Sequence, residues 1–207
     1  EIGKQVFDRM VKRDKIDLVT GTVASGVVYA IAPQAAQQQI LFINTNVGPH
    51  DLVGAKCSPY YYNTGWHIEA VNEAMGKHLT EAGAKKVYVI GAGVPVGKEH
   101  LEAFKKTFKG TIAGETYFKP QTLDFSAELA QIRAAQPDAV YAFAFGPLAV
   151  NFIKQYAQAG LKSIPLYGSA PLADEETIAS VGEGTNGITT GGHWSLDLPN
   201  AANKQFS

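Results

Sequence analysis

Short apolar runs alternate with amphipathic segments along almost the whole chain. The apolar runs have the length of buried strands, and the amphipathic segments repeat apolar residues at helical spacing. The predicted strands are residues 16–20, 40–44, 87–90, 111–118, 139–144, 164–167 and 187–191. The predicted helices are residues 2–13, 25–38, 66–81, 98–108, 125–135, 147–158 and 174–181. This alternation is typical of mainly parallel sheets covered by helices, so the predicted fold class is α/β.

One segment interrupts this rhythm. Residues 45–65 read TNVGPHDLVGAKCSPYYYNTG, which is rich in turn formers and too long for an ordinary connection between a strand and a helix. We interpret the segment as a functional loop followed by a crossing into a second lobe. The tyrosines of YYYN, residues 60–63, are compatible with a strand or with part of a binding cleft, and β-propensity favours the strand.

Composition narrows the class of partner. The chain has 45% hydrophobic and 18% charged residues, which is typical of a globular protein, and 18 basic residues balance 19 acidic ones. Without a basic patch, nucleic acid is not expected as a main partner, so the ligand is a small molecule or a protein.

The chain contains no apolar run of about 20 residues, the length needed to cross a bilayer, and we expect it to be soluble. Its first residues, EIGKQVFDRM, have neither the basic nor the apolar region of a signal peptide. They start inside a helical pattern with no capping residue, so we expect an internal fragment of a longer protein.

Cysteine and histidine give no metal signature. Cys57 is the single cysteine, so it forms no internal disulfide and no thiolate zinc site. The five histidines show no metal-binding spacing, and we interpret them as surface or packing residues. No cofactor is expected.

The glycine-rich stretch VYVIGAGVPVGKE, residues 87–99, resembles a nucleotide-binding loop at first sight. A Walker A loop needs glycine where Ala92 stands and a hydroxyl residue where Glu99 stands. A dinucleotide fingerprint needs its third glycine where Val96 stands, and Gly97 comes one residue late. We therefore interpret the stretch as a tight turn from a strand to a helix.

Two further candidates have structural explanations. Ser25 follows a strand and opens a helix, but a nucleophile elbow would need glycine at positions 23 and 27, and both are valine. Its hydroxyl can cap the helix, or the helix start can attract an anion. The acidic residues 174–176 fit the first turn of a helix.

Three segments carry a family resemblance. They are DLVTGTVASGVVYAIAPQAAQQQILFINTNVGP, KKVYVIGAGVPVGKEHLEAFKK and GETYFKPQTLDFSAELAQIRAAQPDAVYAFAFGPLAVNFIKQYAQAGL, of which the third is the most specific. In this order they resemble the periplasmic solute-binding proteins of branched-chain amino acid ABC transporters.

The resemblance implies the type I periplasmic-binding fold, in which two Rossmann-like lobes close on a ligand by a hinge. It implies that residues 1–63 belong to the first lobe, residues 64–191 form the second lobe, and residues 192–207 return toward the first. The chain would then lack part of the first lobe. The implied function is capture of a solute without chemistry, for delivery to a membrane permease, in the periplasm or outside the cell on a membrane tether.

The resemblance also implies ligand-binding positions. Ser25, Asn46 and Gly48 match the first-lobe residues that hold the carboxylate and ammonium of an amino acid. Val96 stands where relatives have a tyrosine, and Phe145 matches a second aromatic position. Ala170 stands where the acidic partner of the ammonium is expected.

These departures change the expected ligand. A buried ammonium without a carboxylate partner costs several kcal/mol, so Ala170 argues against an α-amino acid. An aromatic or other apolar organic acid fits an apolar second lobe and a carboxylate-binding first lobe. In a periplasmic protein, Cys57 would pair with a cysteine outside this chain or remain a buried small hydrophobic residue.

Three other functions stay open from the sequence. The same fold serves as the sensing domain of receptors, and the family includes amide-sensing regulators. A nucleotide-dependent enzyme would use the loop from Gly91 to Gly97.

Overall fold

A computed structural model describes residues 2–46 and 48–206. Helices and strands alternate along the chain, which divides into two compact units, Glu1–Ala70 and Val71–Ser207. We call them the first unit and the second unit. Every strand pairing within them is parallel, as predicted for an α/β fold. The predicted lobe boundaries at residues 63 and 191 stay predictions.

The first unit contains a three-stranded sheet in the order β1–β2–β3. Its elements are α1 (Ile2–Lys12), β1 (Leu18–Gly21), α2 (Ser25–Gln37), β2 (Leu41–Asn44), α3 (His50–Val53) and β3 (Tyr61–Asn63). Phe42 of β2 is fully buried and packs its ring edge to face against Tyr61, with centroids 5.4 Å apart. The apolar sides of α1 and α2 complete this core, so their periodicity is explained by burial against the sheet.

The second unit contains a five-stranded sheet in the order β5–β4–β6–β7–β8. Its strands are β4 (Lys86–Ala92), β5 (Thr111–Phe118), β6 (Ala139–Phe143), β7 (Leu166–Ser169) and β8 (Thr189–Gly191). The helix α4 (Ile68–Glu81) contains the boundary between the units. The later helices are α5 (Pro95–Thr107), α6 (Ser126–Ala135), α7 (Pro147–Gln158), α8 (Glu175–Val181) and α9 (Ala201–Phe206).

The central strands of this sheet are buried on both faces. On one face Ile90 and Val140 pack with Phe152, and on the other face Val89 and Tyr141 belong to a second cluster. Two-sided burial explains why β4 and β6 read as continuous apolar runs and not as alternating ones.

Residues 45–65 differ partly from the prediction. The strand at YYYN is confirmed, since β3 pairs with β2 in the first-unit sheet. The short helix α3 in the same segment was not predicted, and neither was α9 near the end of the chain. Both are shorter than two helical turns, so they leave too little periodicity to detect.

The glycine-rich stretch is the predicted turn from a strand to a helix, although α5 begins at Pro95 and not at residue 98. Gly97 sits where the helix touches the end of β4: a Cβ atom there would lie 2.0 Å from the carbonyl oxygen of Ala92. Glycine at position 97 is therefore explained by close packing.

Two other residues test the sequence interpretation. Asp174 is the N-cap of α8, and its carboxylate accepts a hydrogen bond from the Thr177 N–H at 2.8 Å, so the acidic residues do mark a helix start. Cys57 is exposed, so the interpretation as a buried small hydrophobic residue is wrong.

Candidate functional site

The predicted ligand-binding residues follow the carboxyl ends of neighbouring parallel strands. In the first unit Ser25 follows β1, while Asn46 and Gly48 follow β2. In the second unit Val96, Phe145 and Ala170 follow β4, β6 and β7, which are adjacent in the sheet. Open α/β sheets bind their ligands beyond this edge. Each unit therefore gathers its own predicted residues at one sheet edge.

Ser25 is the first residue of α2 and is only 8% exposed. The N-cap position belongs to Ala24, whose side chain supplies no capping hydrogen bond, so the interpretation of Ser25 as the N-cap is wrong. The first N–H groups of a helix have no partner within the helix, and the helix dipole makes them a favourable place for an anion. The beginning of α2 therefore suits a carboxylate.

Asn46 and Gly48 both donate hydrogen bonds within the first unit. The Asn46 side-chain amide donates to the carbonyl oxygen of Val23 at 3.0 Å, which ties the loop after β2 to the loop after β1. The Gly48 N–H donates to the carbonyl oxygen of Trp66 at 3.1 Å, so this amide is engaged inside the first unit and is not a free donor for a carboxylate. Val47, between them, lies outside the described residues.

Asn44, at the end of β2, lies beside the predicted residues but was not among them. It ends β2, is fully buried, and its side-chain oxygen accepts a hydrogen bond from the Thr22 hydroxyl at 2.8 Å. Its side-chain nitrogen donates to the side-chain oxygen of Asn63 at 2.7 Å and to the carbonyl oxygen of Asn46 at 3.0 Å. One buried amide thus links the ends of all three strands of the first unit. A polar residue closing the apolar run LFIN was the available signal.

The second unit presents an apolar edge. Val96, in α5, is partly buried against the cluster that contains Val89 and Tyr141. Ala170 is exposed at the start of the short 3₁₀ turn Ala170–Leu172. Phe145 is 44% exposed, and the centroid of its ring lies 5.7 Å from that of buried Phe143. These three positions supply methyl groups and an aromatic ring, and none of them supplies a charge.

A buried polar network contacts Phe143, the residue that packs against Phe145. His100 stacks on Phe143 with ring centroids 3.7 Å apart, and its Nδ1 lies 3.0 Å from the side-chain oxygen of Asn72. The Tyr141 hydroxyl donates to the same oxygen at 2.5 Å. Burial lowers the pKa of His100 to about 3, so the ring is neutral near pH 7. His100 is therefore the packing residue predicted from sequence, and it steadies the ring that contacts Phe145.

Within residues 2–46 and 48–206, no three side chains of His, Cys, Asp or Glu come close enough together to hold a metal ion. Among the helices of the same residues, none has the length and apolar character needed to cross a membrane.

Comparison with protein families gives one match over the whole chain. The model of a family described as periplasmic binding protein matches residues 1–207. A comparison with curated proteins gives no match.

Several solved structures resemble the chain closely. A solute-binding protein of an ABC transporter from R. palustris, solved in complex with benzoate, is 33% identical, with a TM-score of 0.89 over 99% of this chain and 57% of its own. A second, from Rhodopseudomonas palustris BisB5 in complex with 3,4-dihydroxybenzoic acid, is 25% identical, with a TM-score of 0.85 over 99% of this chain and 57% of its own.

A leucine-binding protein from Thermotoga maritima shares the fold at 22% identity, with a TM-score of 0.86 over 99% of this chain and 59% of its own. The present chain therefore spans somewhat more than half the length of these relatives.

Proposed function

Since the chain belongs to the periplasmic binding protein family, whose members bind solutes and are not enzymes, we propose that it is part of the binding component of an ABC importer for an aromatic carboxylate. The ligand is a small organic acid without an amine. Its delivery to a membrane permease, and a location in the periplasm or outside the cell on a membrane tether, belong to the same proposal.

The observation that carries the proposal is the apolar edge of the second unit. An exposed phenyl ring at Phe145 offers a stacking surface. The family resemblance puts Ala170, at the start of the 3₁₀ turn, where an acid would neutralise an ammonium. The carboxylate nearest in sequence, Asp174, already accepts the hydrogen bond that caps α8. Desolvating an ammonium beside this edge would cost several kcal/mol, whereas an aromatic ring gains from burial.

The first unit supplies the complementary chemistry. The Ser25 hydroxyl and the N–H groups of Ser25 and Gly26, at the start of α2, are donors, as a carboxylate requires, and the dipole of α2 adds a favourable field. A carboxylate held by several N–H and O–H donors needs no basic side chain. This half of the proposed site sets the orientation of the ligand, and the apolar half supplies most of the affinity.

The relatives support this ligand class. The R. palustris protein that is 33% identical was solved with benzoate, and the one that is 25% identical was solved with 3,4-dihydroxybenzoic acid. Both ligands combine an aromatic ring with a carboxylate and carry no amine.

The proposed mechanism is capture by closure. The donors at Ser25 and the phenyl ring at Phe145 belong to different units, and we propose that the units close on the ligand by a hinge. A ligand that gains contacts with both units only in the closed form shifts the population toward that form. The closed form is then what the permease recognises.

The test is a thermal-shift and calorimetric titration of the full-length protein with benzoate, phenylalanine and leucine. Benzoate at a hundredfold excess over its dissociation constant should raise the free energy of unfolding by about 2.7 kcal/mol, whereas phenylalanine, which adds an amine to the same ring, should not. Acetamide and NAD in the same screen test the amide-sensing and nucleotide-binding alternatives. Tight leucine binding together with no response to aromatic acids would overturn the proposal.

A further inference from the structure

The loop between β1 and α2 has an unusual backbone. Gly21 has φ +101° and Thr22 has φ +77°, so two consecutive residues lie in the left-handed region. Glycine adopts this region readily, but for a β-branched residue such as threonine it is strained. Strain of this kind persists only where the surrounding structure enforces it, and it is concentrated at functional sites.

Two side chains at the end of β2 hold this loop. The Thr22 hydroxyl donates to the side-chain oxygen of Asn44 at 2.8 Å, and the Asn46 side-chain amide donates to the carbonyl oxygen of Val23 at 3.0 Å. Thr22 and Val23 are thus bound to residues at and just after the end of β2, and only Ala24 separates them from Ser25.

Asn44 is itself fixed. Its side-chain nitrogen donates to the side-chain oxygen of Asn63 and to the carbonyl oxygen of Asn46, and its carbonyl oxygen accepts from the Thr64 N–H at 2.9 Å. Because the side chain is fully buried, turning it would leave these polar atoms unsatisfied away from water. The oxygen that receives the Thr22 hydroxyl therefore has a defined position.

We propose that Asn44 is a positioning residue that holds residues 22–24 in their strained conformation and thereby places Ser25 and the first turn of α2 for the ligand carboxylate. The inference rests on the function proposed above for this site. Asn44 acts through Thr22 and Asn46 and does not itself contact the ligand.

The experiment compares two substitutions at Thr22 in the full-length protein. Thr22→Val keeps the shape and the β-branch but removes the hydroxyl, so the strained backbone loses its support and benzoate affinity should fall about tenfold or more. Thr22→Gly also removes the hydroxyl, but glycine adopts φ +77° without strain. This variant should bind benzoate within about threefold of the wild type.

Thr20→Val is the matched control, since it makes the same substitution at an exposed position of β1. It should leave affinity unchanged. Asn44→Asp is a further variant: it keeps an oxygen facing Thr22 but replaces the donor to Asn63 and Asn46 with an acceptor, and its affinity should fall as in Thr22→Val.

A second measurement does not depend on the ligand. The N–H groups of Val27 and Val28 donate to the carbonyl oxygen of Ala24 at 2.9 and 3.3 Å, so their hydrogen exchange reports the order of the first turn of α2. Exchange in the unliganded protein should rise about tenfold in Thr22→Val and much less in Thr22→Gly.

The outcomes separate the two proposals. If the wild type does not bind benzoate but exchange follows the expected order, the ligand class is wrong and the positioning role stands. If both Thr22 variants lose affinity equally, the hydroxyl contacts the ligand directly and the positioning role is overturned. Unchanged affinity and unchanged exchange in Thr22→Val also overturn it.

Discussion

Phe145 has an exposed ring that is nevertheless held from one side, because buried Phe143 lies against it and is in turn stacked on His100. A side chain of this kind contributes little to folding, since much of its surface remains in water, but it offers a pre-oriented aromatic surface to a ligand.

Replacement of Phe145 should therefore separate binding from stability. Phe145→Ala is expected to weaken benzoate binding by about 1–2 kcal/mol, roughly tenfold, because a stacking partner and buried apolar area are lost. The melting temperature should change little. Calorimetric titration measures the first effect and thermal unfolding the second, with Leu123→Ala as a control at another exposed apolar residue. Unaltered benzoate affinity would remove Phe145 from the site.

A substitution at Ala170 tests whether the absence of an acidic side chain at this position favours benzoate over an amino acid. Ala170→Glu places a carboxylate at the apolar edge, where it should repel benzoate and reduce affinity by about 1.4 kcal/mol or more, since two like charges a few ångströms apart near a protein surface interact by that order. Phenylalanine, which carries an amine, should gain affinity. The position is exposed, so folding should be preserved.

Ala179→Glu is the matched control for this substitution, because it adds the same charge at an exposed position of α8. If both variants bind benzoate as the wild type does, position 170 lies outside the site.

Among the elements, α4, α5 and β6 are joined by the buried contacts of Asn72, His100 and Tyr141. Burial lowers the pKa of His100 from its ordinary 6.5 to about 3, whereas the histidine of the unfolded chain keeps the ordinary value. Between these two pH values His100 is protonated in the unfolded state and neutral in the folded state. The His100 side chain therefore causes no loss of stability above pH 6.5, and the free energy of unfolding decreases as the pH falls from 6.5 toward 3.

His100→Gln removes this titration and can still bond to Asn72. The wild type should lose stability relative to the variant by up to about 1.4 kcal/mol per pH unit as the pH falls below 6.5. Denaturant unfolding of both proteins at intervals from pH 7 to pH 4 measures the difference. Parallel stability curves would show that His100 is not buried in its neutral form.

The contact of α5 with β4 depends on Gly97. Gly97→Ala would place a Cβ atom 2.0 Å from the carbonyl oxygen of Ala92, so the helix must shift, at a cost of about 1–3 kcal/mol or more. Gly26→Ala is the control: a Cβ there meets nothing within 4 Å, and alanine favours the helix, so stability should stay equal or rise. Thermal unfolding ranks the three proteins, and a stable Gly97→Ala would contradict the close packing.

The sequence predicted the long elements well because each carries a period or a continuous apolar run: α7 has the predicted bounds, and β5 does too. It missed α3 and α9, which are too short to show a period. The sequence did not predict the hydrogen bonds of Asn44 with Thr22 and Asn63. These residues are far apart in sequence and meet only through the register of three strands. The occupied Gly48 amide was hidden for the same reason: its partner, Trp66, lies in a different part of the chain.

At the scale of the whole molecule, the proposed function predicts that substitutions in either unit weaken ligand binding. Ser25→Ala should weaken benzoate binding by about 1.5–3 kcal/mol, because a hydrogen bond to a charged group is lost from the first unit. Phe145→Ala acts from the second unit, so titration of the double variant should show a still larger loss.

The matched control is Ser126→Ala, since Ser126 is also the first residue of a helix, α6, but lies outside the proposed site. It should bind benzoate normally. If Ser25→Ala also binds normally, the first unit takes no part in capture.

The exposed thiol of Cys57 has a practical consequence. It is the single cysteine of these 207 residues and lies between α3 and β3 of the first unit. A maleimide dye attached there labels one defined point of the first unit. If the units do move when the solute is bound, the emission of an environment-sensitive dye at this point would turn the protein into an optical sensor for dissolved aromatic acids.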